Sequence, residues 1–125
     1  MPGKAKLAAL ARGRIAERRA AWLLRLTFHR ILARRFRPAK SHGLGEIDII
    51  ARRGRTLCFI EVKARDSEAG GLFAITPAQQ QRIARAAEHF LKVRPAYAGF
   101  AMRFDAMVLE AGRFWPRHHA DAWRP

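Results

Sequence analysis

The sequence predicts one α/β domain, a mixed β-sheet flanked by helices in the order α-β-β-β-α-β-β. Three observations carry this. A length of 125 residues fits a single domain spanning 1–125. Half of the residues are hydrophobic, enough for a packed core without disulfides or metal staples. Segments of helical periodicity alternate with short β-rich runs bounded by Gly and Pro, the pattern of helices packed on a sheet. With only nine Gly and six Pro, the chain is neither collagenous, low-complexity nor disordered. No uncharged stretch approaches the roughly 18 residues of a membrane helix. Cys58 is the only cysteine, which removes intramolecular disulfides and cysteine-rich zinc sites. Within Thr56-Leu57-Cys58-Phe59-Ile60 it reads as a small core residue. A cytoplasmic, soluble protein without a membrane partner is expected.

Residues 4–26 form the first expected helix, with Leu7, Leu10, Ile15, Trp22, Leu23 and Leu26 on one face. The first forty residues carry twelve bases and one acid, Glu17. Such a start can be a transit peptide, but it runs unbroken into strand-like Phe28–Arg37 and so reads as part of the fold. Pro38 stops that strand, and Pro38–Gly45 is a loop. Glu46–Arg52 and Thr56–Ala64 are two strands joined at Arg53-Gly54-Arg55, a hairpin turn. Asp66–Ile75, with Gly70-Gly71, is a connection. Thr76-Pro77 is a helix start, a capping hydroxyl followed by Pro at the first helical position. That helix runs to Val93 with Ile83, Ala87, Phe90 and Leu91 inward. Phe100–Glu110 is a strand and Ala111-Gly112 a turn. Arg113–Trp115 is a short last strand stopped by Pro116, and His118–Trp123 a single helical turn.

Twenty-five Lys and Arg against ten Asp and Glu give a net charge of +15, and the isoelectric point is near 11.7. A small domain usually carries about 2–8 charges in magnitude, so this chain tolerates self-repulsion that a polyanion would relieve. Nucleic acid is the partner such a field favours. Twenty of the bases are Arg, suited to bidentate phosphate contacts. Codon bias can explain Arg over Lys, but not 25 bases against ten acids.

The hairpin concentrates the chemistry. Glu46 and Asp48 are two apart on one strand, Glu61 and Lys63 two apart on the next, so each pair shares a face. A turn centred on Arg53-Gly54 sets Glu46 opposite Glu61 with Asp48 diagonal, while Ile47, Ile49, Ile60 and Val62 pack on the other face. Three converging carboxylates repel unless a cation sits among them. Mg²⁺ takes one or two carboxylates together with waters and substrate phosphate. Such a site suits phosphodiester hydrolysis, with Lys63 as electrostatic partner. The alternative is an ordinary charged strand in which Lys63 pairs with Glu61 or Glu46.

The run Gly45-Glu46-Ile47-Asp48-Ile49-Ile50-Ala51-Arg52, followed by Leu57-Cys58-Phe59-Ile60-Glu61-Val62-Lys63-Ala64-Arg65, resembles the signature of the YraN family. These small bacterial proteins are related to archaeal Holliday junction resolvases within the PD-(D/E)XK nuclease superfamily. The resemblance covers nearly the whole chain: Arg103-Phe104-Asp105 matches a late strand, and His118 with Ala122-Trp123 matches the C-terminal ending. It implies a restriction-endonuclease-like fold and a Mg²⁺- or Mn²⁺-dependent DNA endonuclease, with branched or four-way DNA as the expected substrate. Carried over, Asp48, Glu61 and Lys63 are the catalytic set, Glu46 and Gln80 are accessory, and Glu17 completes the metal ligation begun by Asp48 and Glu61. Ile47 stands where the superfamily's proline is usual, Gln79 where many members carry Lys, and Ala64 where Thr or Ser is usual.

Other residues have two readings. Glu17 could instead bridge to Arg14 or Arg18, and Gln80 could be solvated. Arg52, Arg53 and Arg55 at the hairpin tip, with Arg65 at the end of its second strand, are the expected phosphate contacts. The adjacent His118 and His119 diverge and make a poor metal pair. Trp115 and Trp123, among Arg113, Arg117 and Arg124, read first as anchors of the C-terminal segment and second as base-stacking groups. A homodimer is compatible with all of this. The rival functions are a non-catalytic nucleic-acid-binding module of the same fold and a protein-interaction subunit with an acidic partner.

Overall fold

The computed structural model describes residues 3–38, 45–65 and 75–125. Of the two expected connections, Pro38–Gly45 and Asp66–Ile75, only Pro38, Gly45 and Ile75 fall within the described residues. The element order is α1 (Lys4–Leu26), β1 (Arg30–Phe36), β2 (Ile47–Arg53), β3 (Thr56–Arg65), α2 (Pro77–Val93), a 3₁₀ turn (Pro95–Tyr97), β4 (Ala101–Glu110) and β5 (Arg117–Trp123). The five strands form one sheet in the spatial order of the chain. β3 and β4 pair in parallel and the other neighbours antiparallel. The expected mixed sheet and α-β-β-β-α-β-β order are what the chain adopts. A parallel pair needs a crossover, and α2 supplies it.

The two helices cover opposite faces of the sheet. On one, Ala16, Ala20, Ala21 and Leu24 of α1 pack against Ile49, Cys58, Ile60, Val62 and Met107. On the other, Ile83, Ala86, Ala87 and Phe90 of α2 pack against Ile50, Leu57, Phe59 and Phe104. α2 begins as its sequence requires: the Thr76 hydroxyl accepts from the Gln79 amide, the Gln79 side chain returns to the Thr76 amide, and Pro77 opens the first turn.

α1 differs from the expected face. Leu7, Leu10, Ile15, Trp22 and Leu26 are all exposed, and the buried contacts are made by three alanines and Leu24. Small side chains let the helix axis approach the sheet, so Ala defines the seam that large apolar residues mark elsewhere.

The C-terminus also differs. Residues 113–115 are not a strand, and His118–Trp123 is not a helical turn but lies within β5. The fully buried Asp105 of β4 dictates this. It accepts from His118 Nε2 at 2.8 Å and from the Asp121 amide at 2.9 Å, which draws the tail alongside β4. The register slips between Phe104 and Ala106, and Asp121 takes a left-handed φ of 54° to present its N–H.

Candidate functional site

The β2–β3 ladder runs from Arg53 opposite Thr56 to Ile49 opposite Ile60. Its turn falls on Gly54-Arg55, with Gly54 at φ 59°. A two-residue hairpin with Gly at its first central position matches strand twist without steric cost. Within this ladder each β2 residue stands two positions from the partner expected of a turn centred on Arg53-Gly54, a shift that preserves side-chain parity. The ladder ends at Ile49, before Asp48 and Glu46.

Beyond Ile49 the Asp48 carboxylate takes over from the backbone: its Oδ2 accepts the Val62 N–H at 2.7 Å. Alternation breaks there. Ile49, Ile60 and Val62 pack beneath α1 as expected, whereas Ile47 joins the cluster beneath α2.

Burial pushes the Asp48 carboxyl up to about 8, the Glu61 charge and a hydrogen bond with Glu61 push the same way, and the Val62 amide pulls back. Burial also raises Glu61, opposed chiefly by Lys63. The two carboxyls share a proton across the hairpin and titrate as a pair. Lys63 Nζ lies 3.6 Å from Glu61 Oε1.

The other expected site residues lie around this pair at varying distance. Glu17 is engaged by Arg35 Nε at 3.0 Å, neither by Arg14 nor by Arg18, and its charge adds a smaller upward push on Asp48. Glu46 is exposed at the rim of a recess of about 160 Å³ that it shares with Gly45, Glu61, Gln79, Arg82 and Ile83. The Gln80 amide donates to the Ile75 carbonyl at 3.1 Å, and the neighbouring Gln79 lines the recess. Arg82 also lines it; its spacing of three from Gln79, one helical face, was the signal available in the sequence. Gly45 admits this approach, because a Cβ there would stand 3.1 Å from Arg82 Cβ.

Among the described residues, no group of three His, Cys, Asp or Glu side chains converges to hold a metal. The donor set is the Asp48–Glu61 pair. Two carboxylates fit Mg²⁺ or Mn²⁺ when phosphate and water complete the shell, and a cation between them would offset the burial that raises both.

The hairpin-tip arginines point to a different end of the sheet. Arg52 and Arg55 both lie 4.8 Å from the Phe100 ring centre, and Thr56 precedes Glu61 by five residues, about 17 Å along a strand. Arg53 is at the same tip. Arg65, four residues past Glu61 and about 13 Å along the strand, lines a recess with Arg12, Arg19, Glu110 and Arg113.

A second polar cluster lies beneath the sheet. Burial alone would raise Asp105, but hydrogen bonds from His118, Arg103 and the Asp121 amide hold it down to about 2. Arg103 donates both Nε and Nη2 to it, at 2.9 and 2.8 Å. His29, lowered chiefly by burial and then by the Arg103 charge, sits 3.2 Å from Arg103 Nη2. His118 therefore serves the β4–β5 pairing. Trp123 is the expected anchor, its ring centre 4.4 Å from that of Phe104, while Trp115 is exposed.

Among the described residues, no helix is long and apolar enough to cross a membrane. A mixed α/β sheet with a carboxylate pair and a lysine on its two adjacent inner strands defines the class of protein. Residues 16–109 match the model of uncharacterised protein family UPF0102, the YraN family that the hairpin signature resembles. The chain belongs to that family. It is 46% identical over 123 residues to a UPF0102 protein of Paramagnetospirillum magneticum, covering 98% of this chain and 95% of that one. A UPF0102 protein of Parvibaculum lavamentivorans is 49% identical over 120 residues, covering 95% and 86%. One of Sphingopyxis alaskensis is 49% identical over 120 residues, covering 96% and 98%.

Proposed function

We propose that this chain is a divalent-metal-dependent nuclease that hydrolyses phosphodiester bonds in DNA. The observation that carries the reading is the part-buried carboxylate pair, Asp48 and Glu61, with Lys63 3.6 Å from Glu61, in a chain of net charge +15; burial raises both carboxyls. Mg²⁺ or Mn²⁺ held by Asp48 and Glu61 would supply Lewis-acid chemistry for this reaction. The residues do the rest. Asp48 Oδ2 accepts the Val62 amide, which orients the carboxyl toward Glu61. Lys63 brings a cation next to Glu61, where it can hold a phosphate oxygen or orient a water. Arg82 and Gln79 border the same recess and offer donors to the sugar-phosphate backbone. Branched or four-way DNA is the substrate the YraN resemblance favours.

A non-catalytic nucleic-acid-binding module is the second reading, favoured by the net charge of +15, which attracts nucleic acid whether or not it is cleaved. Single-turnover assays on linear, single-stranded, flap and four-way DNA with Mg²⁺, Mn²⁺ or EDTA separate them. In the nuclease, Lys63→Ala lowers cleavage about 10²-fold, the scale of losing one preorganised stabilising group, while DNA binding in Ca²⁺ changes little. Lys63→Arg does not restore the rate, because a guanidinium is bulkier and stays protonated. Cleavage that is undiminished in Lys63→Ala would place the activity elsewhere.

A further inference from the structure

The β4–β5 turn carries two large aromatic side chains that fill no core. Phe114 is 58% and Trp115 44% exposed, and neither belongs to the cluster beneath α1 or the one beneath α2. They are ordered against each other, edge to face, with ring centres 4.9 Å apart at 80°. Arg19 of α1 fixes the turn from below. Its Cζ lies 4.2 Å from the Phe114 ring centre, and its Nη1 donates to the Phe114 carbonyl at 3.3 Å and more weakly to that of Arg113 at 3.5 Å.

We infer that Phe114 and Trp115 form a stacking platform for unpaired nucleobases. Exposed aromatics cost little to order when a neighbouring element already holds them, and a base offers the flat π-face such rings take. The surroundings select the rest of the ligand. Arg12, Arg19, Arg65 and Arg113 line the adjacent recess with one acid, Glu110, so phosphates are attracted beside the rings. Arg65 pairs with Glu110 in the β3–β4 register. The platform therefore stands at the sheet end reached by continuing β3 past Glu61 and Lys63. The four residues from Glu61 to Arg65 span about 13 Å, roughly four nucleotide steps at the spacing of a duplex strand. A duplex buries its bases and cannot use the platform; a strand unpaired a few nucleotides from the carboxylates can. The preferred ligand is nucleic acid with a single-stranded segment. This rests on nucleic acid as the ligand, as proposed above, but not on cleavage.

The test uses the whole protein in EDTA, with anisotropy on three probes: an oligothymidylate of about 16 nucleotides, at the upper end of single-domain site sizes, an abasic strand of equal length, and a duplex. Wild type should bind oligothymidylate about tenfold more tightly than the abasic strand, the scale of one or two base–aromatic stacks. Phe114→Ala with Trp115→Ala should erase that preference while duplex affinity stays within about twofold. Trp115→Phe, which keeps a ring, should retain most of it. A wild type that does not distinguish oligothymidylate from abasic strand, a double variant that still does, or an equal loss on duplex would each overturn the platform while leaving nucleic acid as partner. Binding to none of the three probes would overturn the nucleic-acid reading itself.

Discussion

Asp48→Asn should make the metal-free protein more stable at neutral pH, although it removes a group at the centre of the candidate site. The folded Asp48 carboxyl is pushed up to about 8, whereas in the unfolded chain it ionises near 4. Between these values the folded state holds a proton that the unfolded state has released. Stability from this group is therefore fully present below about pH 4 and is lost as pH rises toward 8. At pH 7 about three units separate the solution from the unfolded value, at ~1.4 kcal/mol each, or about 4 kcal/mol for an isolated group. Asp48 and Glu61 titrate as a pair and Lys63 opposes the rise at Glu61, so the penalty is smaller than for an isolated group; taking half of it gives about 2 kcal/mol. Asn keeps an oxygen for the Val62 amide and offers an N–H to Glu61 with no titration.

The expected gain at pH 7 is about 2 kcal/mol, or roughly 6–10 °C in melting temperature for a chain of this size. It should shrink toward zero near pH 4, where both forms are neutral at position 48. Thermal melts in EDTA across that range read it directly. An equal difference between wild type and variant at every pH, or a variant less stable at pH 7, would refute the shared-proton account. The metal proposal adds a converse: Mn²⁺ should raise the melting temperature of the wild type, more so at higher pH, and leave Asp48→Asn unmoved.

Three further outcomes follow from other parts of the molecule. If about six phosphates are contacted, the slope of log affinity for duplex DNA against log salt should be on the order of −5, and a slope near zero would remove nucleic acid as partner. Asp105→Asn should cost about 3 kcal/mol in denaturant melts, because it leaves Arg103 half-buried against a neutral group. The wild type should lose the Asp105 contribution only in acid, between about pH 4 and its folded value of about 2, and acid melts showing no extra loss there would contradict this. Gly45→Ala must displace the Arg82 turn that a Cβ would meet at 3.1 Å. It should cost about 1–2 kcal/mol, the scale of overpacking, and an unchanged melting temperature would show that α2 yields freely.

The hairpin was legible in the sequence because its information is local. Alternation fixes which side chains share a face, and Gly54 fixes where the chain can turn, so a turn centred one position early misplaces the paired register by two residues and, within the ladder, no side chain by a face. Only past Ile49, where the Asp48 carboxylate takes the Val62 amide, does Ile47 change face. α2 was equally plain, since Thr76, Pro77 and Gln79 act on one another within a single turn. The seam of α1 was hidden for the opposite reason. Apolar periodicity weights large residues, but this helix approaches the sheet through Ala16, Ala20, Ala21 and Leu24, with Leu23 alongside, and leaves Leu7, Leu10, Ile15, Trp22 and Leu26 in solvent. β5 was hidden too. His118-His119-Ala120-Asp121 has little strand propensity, and what makes it a strand is Asp105, thirteen residues back in the chain from His118 and invisible to any local window.

The two carboxylate clusters of the molecule are held in different ways. Asp105 is fully buried, yet an arginine, a histidine and a backbone amide hold it charged, so its burial serves the fold. Asp48 has one amide, an adjacent carboxylate and no arginine at hydrogen-bonding distance among the contacts that bind Asp105 so tightly. Arginines are abundant in this chain, Arg35 is spent on Glu17 nearby and Lys63 stands 3.6 Å from Glu61, so the raised Asp48 carboxyl does not reflect a shortage of bases. A fold optimised for stability would place an amide or a guanidinium there, as it does beneath β4. The two clusters differ in what completes them: one is satisfied by its own chain, and on the metal proposal the other would be completed by a positive ion from outside.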